Sequence, residues 1–166
     1  MNWLASLLAS ISSYPQNYTI TDAKNQQDAE QQAIAWKQAD PLTHSWSHIA
    51  ATGSMRDKFN ENSVALLTKS DGSDLKKGDL VIYHDPTKKD IYGNPLRAIH
   101  EVADLNDTHF IANGVSNRHY DGWSPRSGVE WKANIIKYPQ PTQVTQPAPN
   151  LGMTSLVQSP SQTTTP

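Results

Sequence analysis

Asp79-Leu80-Val81-Ile82-Tyr83-His84 and Leu96-Arg97-Ala98-Ile99-His100-Glu101-Val102-Ala103 are the two stretches that decide the fold. Both are short and strand-like, with Val81, Ile82 and Tyr83 in the first and Ile99 and Val102 in the second, and Gly93-Asn94-Pro95 sits between them as a turn. In the second stretch a period of two puts Ala98, His100 and Val102 on one face and Arg97, Ile99 and Glu101 on the other. Similar strand-like runs occur at 46–52, 64–68, 109–113 and 129–137. Asp71-Gly72, Lys77-Gly78-Asp79, Asn106-Asp107 and Asp121-Gly122 punctuate them. Many short strands separated by turn signals predict a mainly β protein, a sandwich or partly closed barrel.

Upstream of this β-region, residues 22–39 are rich in Gln and Ala and stop at Asp40-Pro41. They predict an accessory helix with Ala29, Ala33 and Trp36 on one side, packing through Ile34 and Trp36. At the N-terminus, Trp3, Leu4, Leu7, Leu8 and Ile11 would form one apolar helical stripe, a docking face too short to cross a bilayer. No transmembrane anchor is expected. After Lys137 no charged residue occurs, and residues 139–166 hold six of the eleven prolines among Gln, Thr and Ser. Such a stretch cannot bury enough surface to offset its ordering entropy, which predicts a disordered or extended tail. Its only anchors for a partner are Leu151, Met153, Leu156 and Val157. The expected division is 1–44 for the apolar segment and accessory helix, 45–138 for the β-domain and 139–166 for the tail.

Composition narrows the chemistry. The 166 residues are 36% hydrophobic, enough for one domain with a core. A formal net charge of −2 without a run of Lys or Arg builds no positive field, so no nucleic-acid partner is expected. Zero cysteines exclude disulfides, thiol nucleophiles and Cys-based metal sites. Hydroxyl, carboxylate and imidazole chemistry remain, and no cofactor is implied. His44 and His48 are four apart, as metal ligands on a helix would be, but their segment reads as strand and no acidic ligand follows. No metal site is expected.

Four blocks lie in a telling order: Thr52-Gly53-Ser54-Met55, Lys77-Gly78-Asp79-Leu80-Val81-Ile82-Tyr83, Ala98-Ile99-His100-Glu101-Val102, and Gly114-Val115-Ser116-Asn117 followed by Asp121. Together they resemble the type I signal peptidases, specifically the archaeal and endoplasmic-reticulum branch with a histidine where bacterial enzymes carry lysine. The resemblance spans about residues 45–138 and implies a signal-peptidase-like β-fold. It also implies Ser54 as nucleophile, His100 as base and Asp121 as the carboxylate that orients the base. Arg56-Asp57-Lys58 follow Met55 where the family usually has Pro-Thr, and Val115 stands where it has a first aspartate. By themselves, His100 also fits a core histidine bonded to a carbonyl, Asp121 a turn aspartate and Asp79 an acceptor of backbone N–H groups.

The resemblance implies a serine endopeptidase that cleaves an extended peptide with small residues near the cut. The alternative is a non-catalytic structural or assembly protein, a virion component for example, that keeps the fold and binds neighbouring subunits through its N-terminal segment and tail. Either expectation places the chain in solution or in an assembly.

Overall fold

A computed structural model describes residues 16–116 and 120–140. The apolar N-terminal stripe, Asn117 and the tail anchors fall outside the described residues. The protein is mainly β, as expected. Its elements are β1 (Ile20–Asp22), α1 (Gln26–Ala39), β2 (His44–His48), β3 (Ser63–Lys69), β4 (Leu80–Lys89), β5 (Pro95–Leu105), β6 (His109–Asn113), β7 (Ser124–Pro125) and β8 (Val129–Lys137). They form one eight-stranded sheet in the order β2-β3-β8-β4-β5-β6-β7, with β1 parallel to β8 and the other pairings antiparallel.

Strand β8 is the hub. Residues 131–137 of it pair with β3, while β4 takes the start of its other edge and β1 the end. Because side chains alternate across the pleat, Ala65, Leu67, Ala133 and Ile135 face one side, where Met55, Phe59 and Leu80 join them in an apolar cluster. Val64 and Ile136 face the other side, beneath α1. Further along, Val81, Tyr83, Val102, Phe110 and Ala112 make a third cluster. Tyr83 of that third cluster stands beside His100, ring centroids 6.4 Å apart.

The helix differs from expectation at its start and in its buried face. It begins at Gln26 because the Asn25 side chain accepts from Asp28 N at 2.9 Å, while residues 20–22 are claimed by pairing with β8. Three residues are too few to carry a periodic signal, so β1 was invisible as a strand. Ile34 is 44% exposed and contributes little; Ala29 and Ala33 are fully buried against Val64 and Ile136. Alanine leaves no bulk between helix and sheet, so the backbones approach closely. Ala33→Leu should therefore destabilise by ~1–3 kcal/mol through overpacking, read as a lower urea midpoint at unchanged slope.

The histidine pair joins this helix to the sheet edge. His44 stacks on Trp36 at 3.8 Å and its Nδ1 lies 3.0 Å from Trp36 O, while His48 Nε2 meets Glu30 at 3.3 Å. Asp79 accepts from Lys76 N at 2.9 Å, as the turn predicts. It also receives the Lys132 ammonium at 3.0 Å and the Asn17 amide, pinning the start of the described chain to β8. Among the described residues no helix is long and apolar enough to cross a membrane.

Candidate active site

Strand β2 ends at His48, earlier than the predicted 46–52, and residues 49–59 turn back across the apolar cluster. Gly53 makes the turn possible. Its φ is +73°, and a Cβ there would meet Arg56 Nη2 at 2.7 Å. One turn of chain follows, closed by Lys58 N and Phe59 N on Met55 O, each 2.9 Å. Met55 and Phe59 anchor it in the core, and Ser54, next to Met55, is 6% exposed. The turn is also tied to the loop after β6: Ser116 N donates to Ser54 O and Asp57 N to Ser116 Oγ, both at 2.9 Å. Val115 in that loop packs against the same cluster. The loop thus supplies packing at that point, and its carboxylate arrives later, at Asp121.

His100 stands on β5 opposite Val81 of β4, one residue before the pairing of β5 with β6 begins at Glu101. Its ring faces the third apolar cluster and Glu101 faces the other side of the sheet, as the alternation predicts. Asp121 reaches it because β6 is the neighbour of β5 and the backbone returns along β6, where Asp121 N donates to Ala112 O at 3.0 Å. There the His100 Nδ1 hydrogen-bonds Asp121 Oδ2. Both side chains are about 5% exposed, so this is a buried pair.

Two residues complete the carboxylate's surroundings. Tyr83 OH donates to Asp121 Oδ2 at 2.5 Å, and Lys88 Nζ lies 3.2 Å from Asp121 Oδ1 and 3.2 Å from Asp85 Oδ2. Burial would push the Asp121 carboxyl up, but the hydrogen bonds from His100 and Tyr83 and the nearby positive charge outweigh it and hold it at about 2. Burial, with the Asp121 anion behind it, drives the Tyr83 phenol far above the usual tyrosine range, so it stays a donor. Burial lowers the Lys88 ammonium, yet Asp85 and Asp121 more than compensate and raise it, so Lys88 stays charged near neutrality. An ionised Asp121 facing Nδ1 selects the tautomer protonated there and leaves Nε2 as the acceptor.

Ser54 and His100 line one pocket of about 300 Å³ together with Thr52, Lys88, Ala98 and Ile99. Ser54 Oγ pairs with Thr52 Oγ1 at 3.3 Å, and among the described residues no hydrogen bond joins it to His100. A second groove of about 380 Å³, walled by Trp46, Ile49, Ile82 and Trp131, adjoins the first through Ala50, Arg97, Ala98 and Ile99. Tyr83 and Lys88 were not singled out from sequence. Tyr83 reads as an ordinary strand aromatic, and Lys88 sits where the register of β4 against β5 shifts between Asp85 and Lys89, which no local pattern marks.

Comparison of the chain with protein-family models, with curated proteins and with solved structures finds no match.

Proposed function

We propose that this chain is a serine endopeptidase of the Ser-His-Asp type, resembling the type I signal peptidases. The observation that carries this is the buried His100 Nδ1–Asp121 Oδ2 hydrogen bond beside a pocket that Ser54 also lines. In the reaction, His100 Nε2 takes the Ser54 proton as Oγ attacks a peptide carbonyl. The imidazolium that forms is stabilised by Asp121 and then protonates the leaving amine. Backbone N–H groups of the Ser54 turn hold the oxyanion. Water then repeats the sequence to release the acyl group. The substrate is an extended chain lying along the groove beside β2, with small residues next to the cut.

Lys88, Arg97 and His100 are the basic side chains that line the pocket, and the environments of Lys88 and His100 assign those two different roles. Lys88 is held as a cation by Asp85 and Asp121 and cannot accept a proton near neutrality. Lys88→Met should accordingly keep cleavage within about tenfold, whereas His100→Gln should remove on the order of 10⁴-fold, both read as kcat/KM on one peptide. The reverse ranking would make lysine the base.

The direct test is labelling with a fluorophosphonate probe followed by peptide mapping, alongside cleavage of a peptide library biased to small residues. Modification of Ser54 and cleavage after small residues are expected. A chain that is neither labelled nor cleaves, yet co-sediments with an assembly through its ends, would establish the non-catalytic scaffold instead.

A further inference from the structure

Glu101 follows the candidate base in sequence but stands on the opposite face of β5, 4% exposed. Its Oε2 accepts from Lys58 Nζ at 2.6 Å and from Tyr18 OH at 3.0 Å. The Lys58 ammonium lies 5.5 Å from the Tyr18 ring centroid. Lys58 belongs to the turn that carries Ser54, and its own N–H closes that turn on Met55 O. The base's strand therefore holds the nucleophile's turn through the residue next to the base.

We infer that the Lys58–Glu101 ion pair, backed by Tyr18, is a positioning clamp that sets Ser54 relative to His100. The clamp rests on Ser54 and His100 being nucleophile and base. It acts from one side of the turn while Ser116 holds the other, through Ser54 O and Asp57 N. An ion pair with one partner buried and the other partly so is a poor source of stability compared with apolar side chains of similar volume, but it is directional. With a nitrogen–oxygen distance of 2.6 Å and a strand paired on both edges behind it, little play remains in the turn. Neither Lys58 nor Glu101 lines the two pockets, so their effect on the reaction is indirect, through the position of the Ser54 turn on β5.

The test uses the full chain carrying Lys58→Met together with Glu101→Leu, an apolar pair that fills the same space. Its melting midpoint should stay within a few degrees of that of the wild type, since relief of the ion pair's desolvation offsets the loss of this acceptor by the Tyr18 hydroxyl. The rate of fluorophosphonate labelling at Ser54, and kcat on a peptide, should fall ~10- to 100-fold, as misplacement of about an ångström costs, with KM unchanged. Lys58→Arg, which keeps the charge and donor, should recover most of the rate. Hydrogen exchange should rise at the amides of Arg56, Lys58 and Phe59 and stay unchanged in β5. The low-field proton between His100 and Asp121 should not move, since that pair lies across the sheet. Wild-type labelling rates in the double variant, or a fall in KM-controlled binding only, would overturn the clamp while leaving the peptidase standing. An unreactive Ser54 in the wild-type chain would overturn both.

Discussion

Ser54→Ala should reduce peptide cleavage by on the order of 10⁴-fold or more and abolish fluorophosphonate labelling, while the fold stays intact. In the proposed reaction the hydroxyl is the group that becomes bonded to substrate, so its loss is large and no neighbour takes its place. Thr52 Oγ1 is the nearest candidate, 3.3 Å from Ser54 Oγ, but it precedes the Gly53 bend and is exposed, outside the held turn. The structural cost is small. One oxygen with a long hydrogen bond is removed from a side chain anchored by Met55 and Phe59, which is worth ~1 kcal/mol or less. Urea melts of both proteins should therefore nearly superimpose. Undiminished cleavage by the alanine variant would remove Ser54 from the mechanism.

Asp121→Asn should be costly in both activity and stability. Three donors converge on this carboxylate, from His100, Tyr83 and Lys88, and an amide offers a single oxygen to meet them. The amide nitrogen would press a donor against a donor, favour the imidazole tautomer with its proton on Nε2 and deprive Ser54 of its acceptor. A rate loss on the order of 10⁴-fold follows. Leaving the buried His100 and Tyr83 donors without a full set of acceptor oxygens costs ~1–3 kcal/mol, because a buried donor without an acceptor has lost its solvation.

The pH dependence of that cost has a definite sign. Asp121 has a folded value of about 2 against an ordinary 3.8, so its contribution is present above 3.8 and disappears as the pH falls through about 2. The stability gap between wild type and Asp121→Asn should thus be full at pH 7 and narrow between about pH 4 and pH 2, read from urea midpoints. The other carboxylates lie in both proteins and cancel in the difference. A gap that does not narrow on acidification would mean the carboxylate is not ionised in the fold.

Local pattern reached as far as a strand reaches. The alternation of residues 96–103 by itself put His100 and Glu101 on opposite faces, since the pleat has a period of two whatever lies around it. Gly53 and Asp79 were legible for the same reason: a bend needing positive φ and a carboxylate beside free N–H groups are properties of a few consecutive residues. The helix from its Gln- and Ala-rich run was visible too, though not its buried face, because Ala29 and Ala33 pack on a sheet the helix meets only after folding. Strand order and register, which global burial sets, decided the rest. Asp121 meets His100 from 21 residues away because β6 lies beside β5; Tyr83 and Lys88 meet it because β4 lies on the other edge; Lys58 meets Glu101 because the Ser54 turn folds over the opposite face. Each of those contacts joins groups that are strangers in sequence, and a carboxylate's charge state depends on which of them arrive.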